Sequence, residues 1–270
     1  MGDLLYIWLI SLGGFLALWP LSLVWKDASV VDFWWGPGVG AMVLAAWWLA
    51  GMPMAPGILA LLLLCVLWSG RLGIHLGIRR IQEGEEDARY REMRAARDPG
   101  WWWKSLFIVF VLQSVLQGII AAPLVFAMLS GVAPALSPAL VVATLIVGFG
   151  LWMQTVADIE LDRHRAADGH GKLLTTGLRA VVRHPNYLGE ILVWVGHAAL
   201  AVLAGVWWAP LSAIIVTLLL RYVSGVPLIE DRMARTRPDA FPPYRDRVPA
   251  LVPRFSDLRA YFNGRSSQLN

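Results

Sequence analysis

The chain has 270 residues, of which 57% are apolar and 16% are charged, and its formal net charge is +4. A typical soluble domain is about 45–50% apolar and about 25% charged, and the mean hydropathy here is +0.58. This composition excludes an ordinary soluble domain and predicts an integral membrane protein. Positive charge in so apolar a chain favours loops beside anionic lipid, so we expect a lipid bilayer and no nucleic acid as partner. The single cysteine, Cys65, lies in an apolar run, which argues against a disulfide and a cysteine-based metal site.

Seven apolar segments are long enough to cross a bilayer, which takes about 20 helical residues. The first lacks the basic start of a cleaved signal peptide, so we expect it to remain as a helix. The sequence therefore predicts an all-α, multi-pass protein, which we expect in a bacterial inner (plasma) membrane. The segments cover residues 4–25, 32–50, 57–78, 105–129, 138–159, 187–204 and 207–226.

The connectors between these segments differ in their content of lysine and arginine. Connectors 51–56, 130–137 and 205–206 contain neither residue, whereas the first connector contains Lys26 and the remaining connectors and the C-terminal tail contain many. Because Lys and Arg concentrate on the cytoplasmic side, the N-terminus is predicted outside and the C-terminus inside. We expect a single membrane domain over residues 1–270, with its polar parts on one face, namely loops 79–104 and 160–186 and the tail 227–270.

Ionisable residues inside two spans indicate buried polar sites, because each costs about 2.5–3.5 kcal/mol at a helix centre unless it has a partner. Arg71 and His75 are four residues apart and share one face of the third span. Arg71 is too deep for snorkelling to explain it well. Gln154 and Asp158 repeat this spacing on the fifth span. Arg165 lies further along the same end of that helix, where a solvated helix terminus is the alternative interpretation.

The densest polar motif is RHPNYLGE at residues 183–190. Pro185 suits the first turn of a helix, which places His184 near the N-cap and Asn186 among free backbone N–H groups. Asn186 and Glu190 then share a helix face, and Glu190 lies one turn into an apolar span, where a carboxylate needs a partner. We interpret the motif as a ligand site, with helix capping plus one internal salt bridge as the alternative.

The tail after the seventh span has five prolines between residues 238 and 253, which forbid a long helix after about residue 237. Phe241, Tyr244, Leu251 and Phe255 favour packing of this tail onto the cytoplasmic face. We interpret the tail as a lid over a cofactor, and a disordered basic arm attracted to lipid headgroups is the alternative.

Several blocks together resemble the DUF1295 membrane proteins, which are related to the C-terminal region of steroid 5-alpha-reductases. The wider superfamily includes NADPH-dependent reductases of enone lipids and also isoprenylcysteine and phospholipid methyltransferases, which use S-adenosylmethionine. The resemblance implies seven helices and a nucleotide cofactor held by the cytoplasmic halves of the later spans. The blocks lie in order within about residues 28–255: SVVDFWWGPG, WSGRLGIHLGIRR, GEEDARYREMR, the AD at 157–158, LLTTGLRAVVRHPNYLGEILVWVG and PLIEDRM…PPYRDRVPALVP.

Carried over by position, the resemblance implies NADPH as the cofactor. It aligns Lys172 and Tyr244 with phosphate- and ribose-side contacts, and it aligns Gln154 with a position where the reductases have Asn. The residues that it implies for cofactor binding are Arg71, Gln154, Asp158, Arg165, Lys172, His184, Asn186, Tyr187, Glu190 and Tyr244.

The chain departs from the steroid reductases in its second and third spans. Those enzymes polarise the substrate carbonyl with a Gln-Glu pair and a Tyr, whereas this chain has Asp32 as its carboxylate and Trp68 at the position of the tyrosine. We therefore expect another unsaturated, enone-type or steroid-like substrate. Reduction of an enone needs a proton donor, and the candidate catalytic residues are His75, His197 and Asp32.

These observations predict a membrane oxidoreductase that uses NADPH to reduce a carbon–carbon double bond of a hydrophobic small molecule or lipid. The first alternative is a membrane methyltransferase that uses S-adenosylmethionine. The second is a non-catalytic membrane scaffold or a transporter, although the clustering of polar motifs on one side argues against a transporter.

Overall fold

A computed structural model describes residues 2–168 and 171–262, which form helices joined by loops. Seven of its helical stretches are long and apolar enough to cross a membrane. This confirms the prediction of an all-α protein with seven spans. They are Gly2–Val24, Ala28–Leu49, Pro56–Gln82, Trp101–Leu129, Pro138–Ala167, Pro185–Leu203 and Pro210–Thr236.

The spans and the segments between them divide into twelve α-helices, two 3-10 turns and two π-helical segments among the described residues. The α-helices are α1 (Gly2–Val24), α2 (Trp35–Leu49), α3 (Pro56–Glu83), α4 (Ala88–Arg97), α5 (Trp101–Ser105), α6 (Leu112–Leu129), α7 (Pro138–Asp168), α8 (Pro185–Leu203), α9 (Pro210–Leu218), α10 (Val226–Thr236), α11 (Phe241–Arg247) and α12 (Phe255–Phe262). The 3-10 turns are Ala28–Trp34 and Gly177–Ala180, and the π-helical segments are Leu106–Val111 and Leu219–Val223.

Two helices extend past the spans that hydropathy predicts. The fifth span, predicted to end at residue 159, continues as helix to Asp168, because Glu, Leu, Arg and Ala in this polar stretch are good helix formers. The seventh, predicted over 207–226, passes through the π-helical segment Leu219–Val223, and after a bend at Ser224 and Gly225 the chain is helical again as α10. In both spans, helical structure therefore extends past the apolar stretch into polar sequence.

The chain folds into two compact units, and each has its own packed interior. Unit 1 comprises Met1–Thr144 and His197–Ser212, and unit 2 comprises Leu145–Gly196 and Ala213–Asn270. The single membrane domain expected from the sequence stays a prediction.

In unit 1, the buried amide of Gln117 joins three helical segments. Ser11 donates to its Oε1 at 2.6 Å, and its Nε2 donates to the carbonyl oxygens of Trp34 and Trp35, each at 2.9 Å. Gly38 lets the amide approach, since a Cβ on Gly38 would lie 2.5 Å from Oε1. Polar bonds and small residues are the usual means of holding helices together in lipid.

The loop after α3 is fixed to the start of the second span by charged side chains. Arg80 pairs with Asp27, and Glu86 accepts from the Ala28 N–H at 2.8 Å and from Arg94 at 2.7 Å. The predicted polar loop 79–104 is therefore an ordered part of unit 1 that contains α4.

In unit 2, the C-terminal tail packs through Phe241, Tyr244 and Val248, which are buried. Leu251 is buried as well, so three of the four side chains expected to pack do so. The expectation for Phe255 is wrong, because this side chain is 81% exposed. Phe255 lies beyond residues 249 and 250, through which the tail is hydrogen-bonded to residues 183 and 184.

Candidate functional site

The candidate site in unit 2 begins at a close approach of α7 and α8. Gly150 on α7 and Gly189 on α8 face each other, and neither has room for a Cβ. Small residues allow helix backbones to come this close in a membrane. A polar side chain follows each glycine: Gln154 lies one turn after Gly150 on α7, and Glu190 directly follows Gly189 on α8.

The carboxylate of Glu190 accepts hydrogen bonds from both helices. The Gln154 amide donates to Oε2 at 2.7 Å, and the Trp194 indole N–H donates to Oε1 at 2.9 Å. Gln154 and Trp194 are themselves buried. Both of these donors are neutral, and a carboxylate can accept from several donors at once. These three residues are called the Glu190 cluster.

Asn186 lies one helical turn before Glu190, on the same face of α8, and is half-buried. Among residues 2–168 and 171–262, its side-chain amide has no hydrogen-bonding partner. Tyr187 is also half-buried, and its ring stacks on that of His184 at 5.5 Å between centroids. Asn186 can therefore offer a donor and an acceptor to a ligand beside the Glu190 cluster.

The remaining predicted residues of α7 lie along its polar end. Asp158 is buried one turn after Gln154, and Arg165 is half-buried two turns further on. Lys172 is exposed in the loop after α7. The two cations are therefore accessible to an anionic ligand.

Arg179 is a buried cation that the sequence prediction missed. Its Nη1 donates to the Ala157 carbonyl oxygen at 2.9 Å, while its own carbonyl oxygen accepts from the Tyr244 hydroxyl at 2.8 Å. Burial lowers the pKa of Arg179 and raises that of Tyr244 to about 12, so the phenol remains a donor. The apolar residues around Arg179 in GLRAVV were the available signal of its burial.

Glu230, another missed residue, clamps the RHP segment to α10. It accepts from Nε and Nη2 of Arg183, each at 2.8 Å, and it lies 2.9 Å from Nε2 of His184. Burial lowers the pKa of His184 and outweighs the opposing effect of Glu230, so a neutral ring donates to the carboxylate. We call Arg183, His184 and Glu230 the Glu230 clamp.

The tail is joined to the same segment through its backbone. The N–H groups of Arg183 and His184 donate to the carbonyl oxygens of Pro249 and Ala250, at 2.9 and 3.1 Å. Arg183 also donates to the Arg245 carbonyl oxygen at 2.8 Å. Arg183 therefore forms a salt bridge with Glu230 at the start of α8, and the choice between a ligand site and helix capping for the RHPNYLGE motif stays open. Cofactor-binding roles for His184 and Tyr244 stay predictions.

The predicted catalytic residues lie in unit 1, as does Arg71. Arg71 and His75 are half-buried on one face of α3. His197 is fully buried and meets the Trp68 ring edge to face, with centroids 6.2 Å apart. Their catalytic roles stay predictions.

Asp32, the third candidate, belongs to a polar cluster with the loop helix α4. Its carboxylate accepts from the Tyr90 hydroxyl at 2.6 Å and from Arg89 at 2.8 Å, and Gln113 donates to the Tyr90 oxygen at 3.0 Å. Burial lowers the pKa of Arg89, but Asp32, Tyr90 and Asp87 together outweigh it and hold that pKa above its ordinary value. The guanidinium thus stays charged beside Asp32.

Tyr90 is the protonated member of this cluster. Burial, and then the Asp32 carboxylate, raise the pKa of its phenol well above 10. The sequence prediction missed Tyr90 because its neighbours in GEEDARYREMR are charged. Ala88 and Tyr90 alone make too short an apolar pattern to predict a buried helix face.

Comparison with known proteins identifies a family. A family described as "Protein of unknown function (DUF1295)" matches residues 18–248. No curated protein and no solved structure matches the chain at a significant level. Because the family match spans most of the 270 residues, this membrane protein belongs to the DUF1295 family.

Proposed function

We propose that this protein is an NADPH-dependent reductase, embedded in the membrane, that acts on an unsaturated enone-type lipid or steroid-like substrate. The proposal rests on the Glu190 cluster, where a carboxylate within a membrane span accepts hydrogen bonds from Gln154 and Trp194. A carboxylate in an apolar helix is costly, and an apolar residue would serve packing as well or better. Its presence supports recognition of a ligand by Glu190.

The residues of unit 2 fit a reduced nicotinamide dinucleotide by their donors and acceptors. A carboxamide needs an acceptor for its NH2 group and a donor for its oxygen, which Glu190 and Asn186 would supply. The phosphates need cations, and Arg165 and Lys172 are accessible for that role. When bound, the cofactor supplies a hydride to the substrate.

The chain itself must supply the second hydrogen, as a proton. Saturating an enone adds a hydride at the β carbon and a proton at the α carbon, and a donor stabilises the negative charge that develops on the carbonyl oxygen. We propose His75, His197 and Asp32 as the candidates, and we add Tyr90, whose phenol is protonated and hydrogen-bonded to Asp32.

The cofactor proposal is tested by thermal unfolding of the purified protein with NADPH, NADH or S-adenosylmethionine. A ligand that binds the folded state at 100 times its Kd stabilises it by about 2.7 kcal/mol. We expect NADPH to raise the apparent thermal midpoint more than NADH does, because cations favour the additional phosphate. No shift with NADPH at saturating concentration would contradict the proposal.

A methyltransferase is the second candidate, and one observation favours it. Glu190 lies beside the Trp194 indole, and a carboxylate together with an aromatic ring can also hold the sulfonium of S-adenosylmethionine. A midpoint shift with S-adenosylmethionine and none with NADPH would favour the methyltransferase over the reductase.

The catalytic proposal is tested separately with variants in unit 1. We expect one of His75→Gln, His197→Gln, Asp32→Asn and Tyr90→Phe to lower turnover about 10²- to 10⁴-fold, as loss of a general acid does. That variant should keep the NADPH-dependent midpoint shift. The measurement is NADPH oxidation in the presence of a panel of enone lipids, and unchanged turnover in all four would exclude these residues as the proton donor.

A further inference from the structure

We propose that the end of the C-terminal tail is a docking surface for the anionic headgroups of the bilayer that the protein spans. The surface consists of two exposed apolar side chains and three exposed arginines, and we call it the tail patch. Its members are Arg247, Val252, Arg254, Phe255 and Arg259.

The first argument is the position of the tail relative to the membrane. The tail is hydrogen-bonded to the backbone of Arg183 and His184 through residues 249 and 250. His184 directly precedes Pro185, where the span Pro185–Leu203 begins. Residues 249 and 250 therefore lie at the membrane boundary, and the members of the tail patch lie on both sides of them along the chain.

The second argument is the exposure of large apolar side chains on an anchored segment. Val252 and Phe255 are 77% and 81% exposed, whereas the neighbouring Leu251 is 7% exposed and packs against the protein. Arg254 donates to the Arg247 carbonyl oxygen at 3.2 Å and holds the turn between them. Water solvates such side chains poorly, but the boundary between headgroups and acyl chains accommodates them.

The third argument is charge. Arg247, Arg254 and Arg259 are exposed around the two apolar side chains, and Asp257 is the acidic residue among them. Segments that lie on an anionic membrane surface typically insert apolar side chains into the interface and place basic side chains beside them. The exposed apolar side chains and the arginines around them together make anionic lipid the ligand that suits the tail patch.

The test places a fluorescent label at residue 255. Cys65 is the only cysteine and is buried, so a Cys65→Ala, Phe255→Cys protein accepts an environment-sensitive dye at this one position. The labelled protein is reconstituted into nanodiscs of phosphatidylcholine alone or with phosphatidylglycerol. We expect a blue shift of the emission that is larger with phosphatidylglycerol and decreases with salt.

Two controls define the result. Asp239→Cys labels an exposed position of the same tail before α11, and its emission should stay that of water in both lipids. Arg247→Gln, Arg254→Gln and Arg259→Gln combined should remove the added effect of phosphatidylglycerol. Because these arginines are exposed, the variant is expected to retain the thermal midpoint of the parent, and a parent-like midpoint shows that it is folded.

Three results would overturn the proposal. The first is emission typical of water at residue 255 in both lipids. The second is a shift that is the same in both lipids and insensitive to the arginine variant, which would exclude headgroup recognition. The third is a shift that needs no lipid and grows with protein concentration, which would identify a second copy of the chain as the occupant. None of these measurements involves NADPH, so their outcome is separate from the proposed function.

Discussion

The backbones at Gly150 and Gly189 pack so closely that neither position has room for a side chain. A Cβ on Gly150 would lie 2.6 Å from the Gly189 carbonyl oxygen, and a Cβ on Gly189 would lie 2.7 Å from the Gly150 carbonyl oxygen. Each obstacle is backbone, which cannot move aside as a flexible side chain can. This contact of α7 and α8 allows Gln154 to reach Glu190.

We therefore expect Gly150→Ala to force the two helices apart. Overpacking of this kind costs about 1–3 kcal/mol, and it should lower the apparent thermal midpoint and weaken the NADPH-dependent shift. Gly148 is the matched control on the same helix, since a Cβ there meets nothing within 4 Å. Gly148→Ala should leave the midpoint unchanged or raise it slightly, because Ala favours helix. Equal midpoints in the two variants would contradict the close contact.

Glu190→Gln and Asn186→Ala separate ligand recognition from helix packing. Gln keeps the shape and hydrogen-bonding capacity of Glu but removes the charge. If Glu190 accepts from the cofactor, we expect NADPH affinity to fall about 10- to 150-fold, which corresponds to a lost bond of about 1.5–3 kcal/mol. Asn186→Ala should act in the same direction, because it removes an amide that is unpaired within the described residues.

Both variants should retain the midpoint of the ligand-free parent. Glu85→Gln is the control, because Glu85 is 80% exposed and should change neither midpoint nor affinity. Titration of NADPH against the thermal midpoint gives the affinities. A fall in the ligand-free midpoint with unchanged affinity in the remaining folded protein would assign the RHPNYLGE segment a structural role.

The pH dependence of stability should report on His184. Burial lowers its pKa in the folded state below the ordinary value of 6.5, so below that pH the unfolded chain binds a proton that the folded protein does not. Stability contributed by this group is therefore complete above about pH 6.5 and falls as the pH drops below it. His184→Gln keeps an N–H donor for Glu230 and should flatten the fall in thermal midpoint between pH 7 and pH 5.

His164→Gln is the comparison for this measurement, since His164 is a half-buried histidine on α7 that lies outside the Glu230 clamp. A flatter profile in His184→Gln than in His164→Gln would assign the acid response to the Glu230 clamp. If His184→Gln and the parent lose stability in parallel on acidification, other groups dominate the acid response.

The predicted orientation can be measured with reporter fusions. Reporters placed after residues 53, 134 and 206 should report the outside, because the connectors there contain no Lys or Arg, and those after 90, 170 and 265 should report the cytoplasm. Activity of a cytoplasmic reporter after residue 134 would reverse the assigned sides, including the leaflet that faces the tail patch.

Hydropathy alone was enough to find the seven spans, because crossing a membrane depends on local composition and length. The beginning of α8 at Pro185 and the end of α10 at Thr236 are also local, since proline limits where a helix can begin or continue. The motif around Glu190 was recognised for the same reason, as a carboxylate within an apolar segment is visible in the sequence.

Only the tertiary structure decided which groups these residues contact. The partner of Glu190 on α7, Gln154, is 36 residues away, and no local pattern shows that Gly150 and Gly189 bring the two helices together. Glu230 and Tyr90 lie in charged stretches that are typical of solvated surface, yet one clamps Arg183 and the other is buried beside Asp32. Spans follow from the free energy of moving each segment into lipid, whereas side-chain partners depend on how distant helices pack, which the order of residues along one helix does not specify.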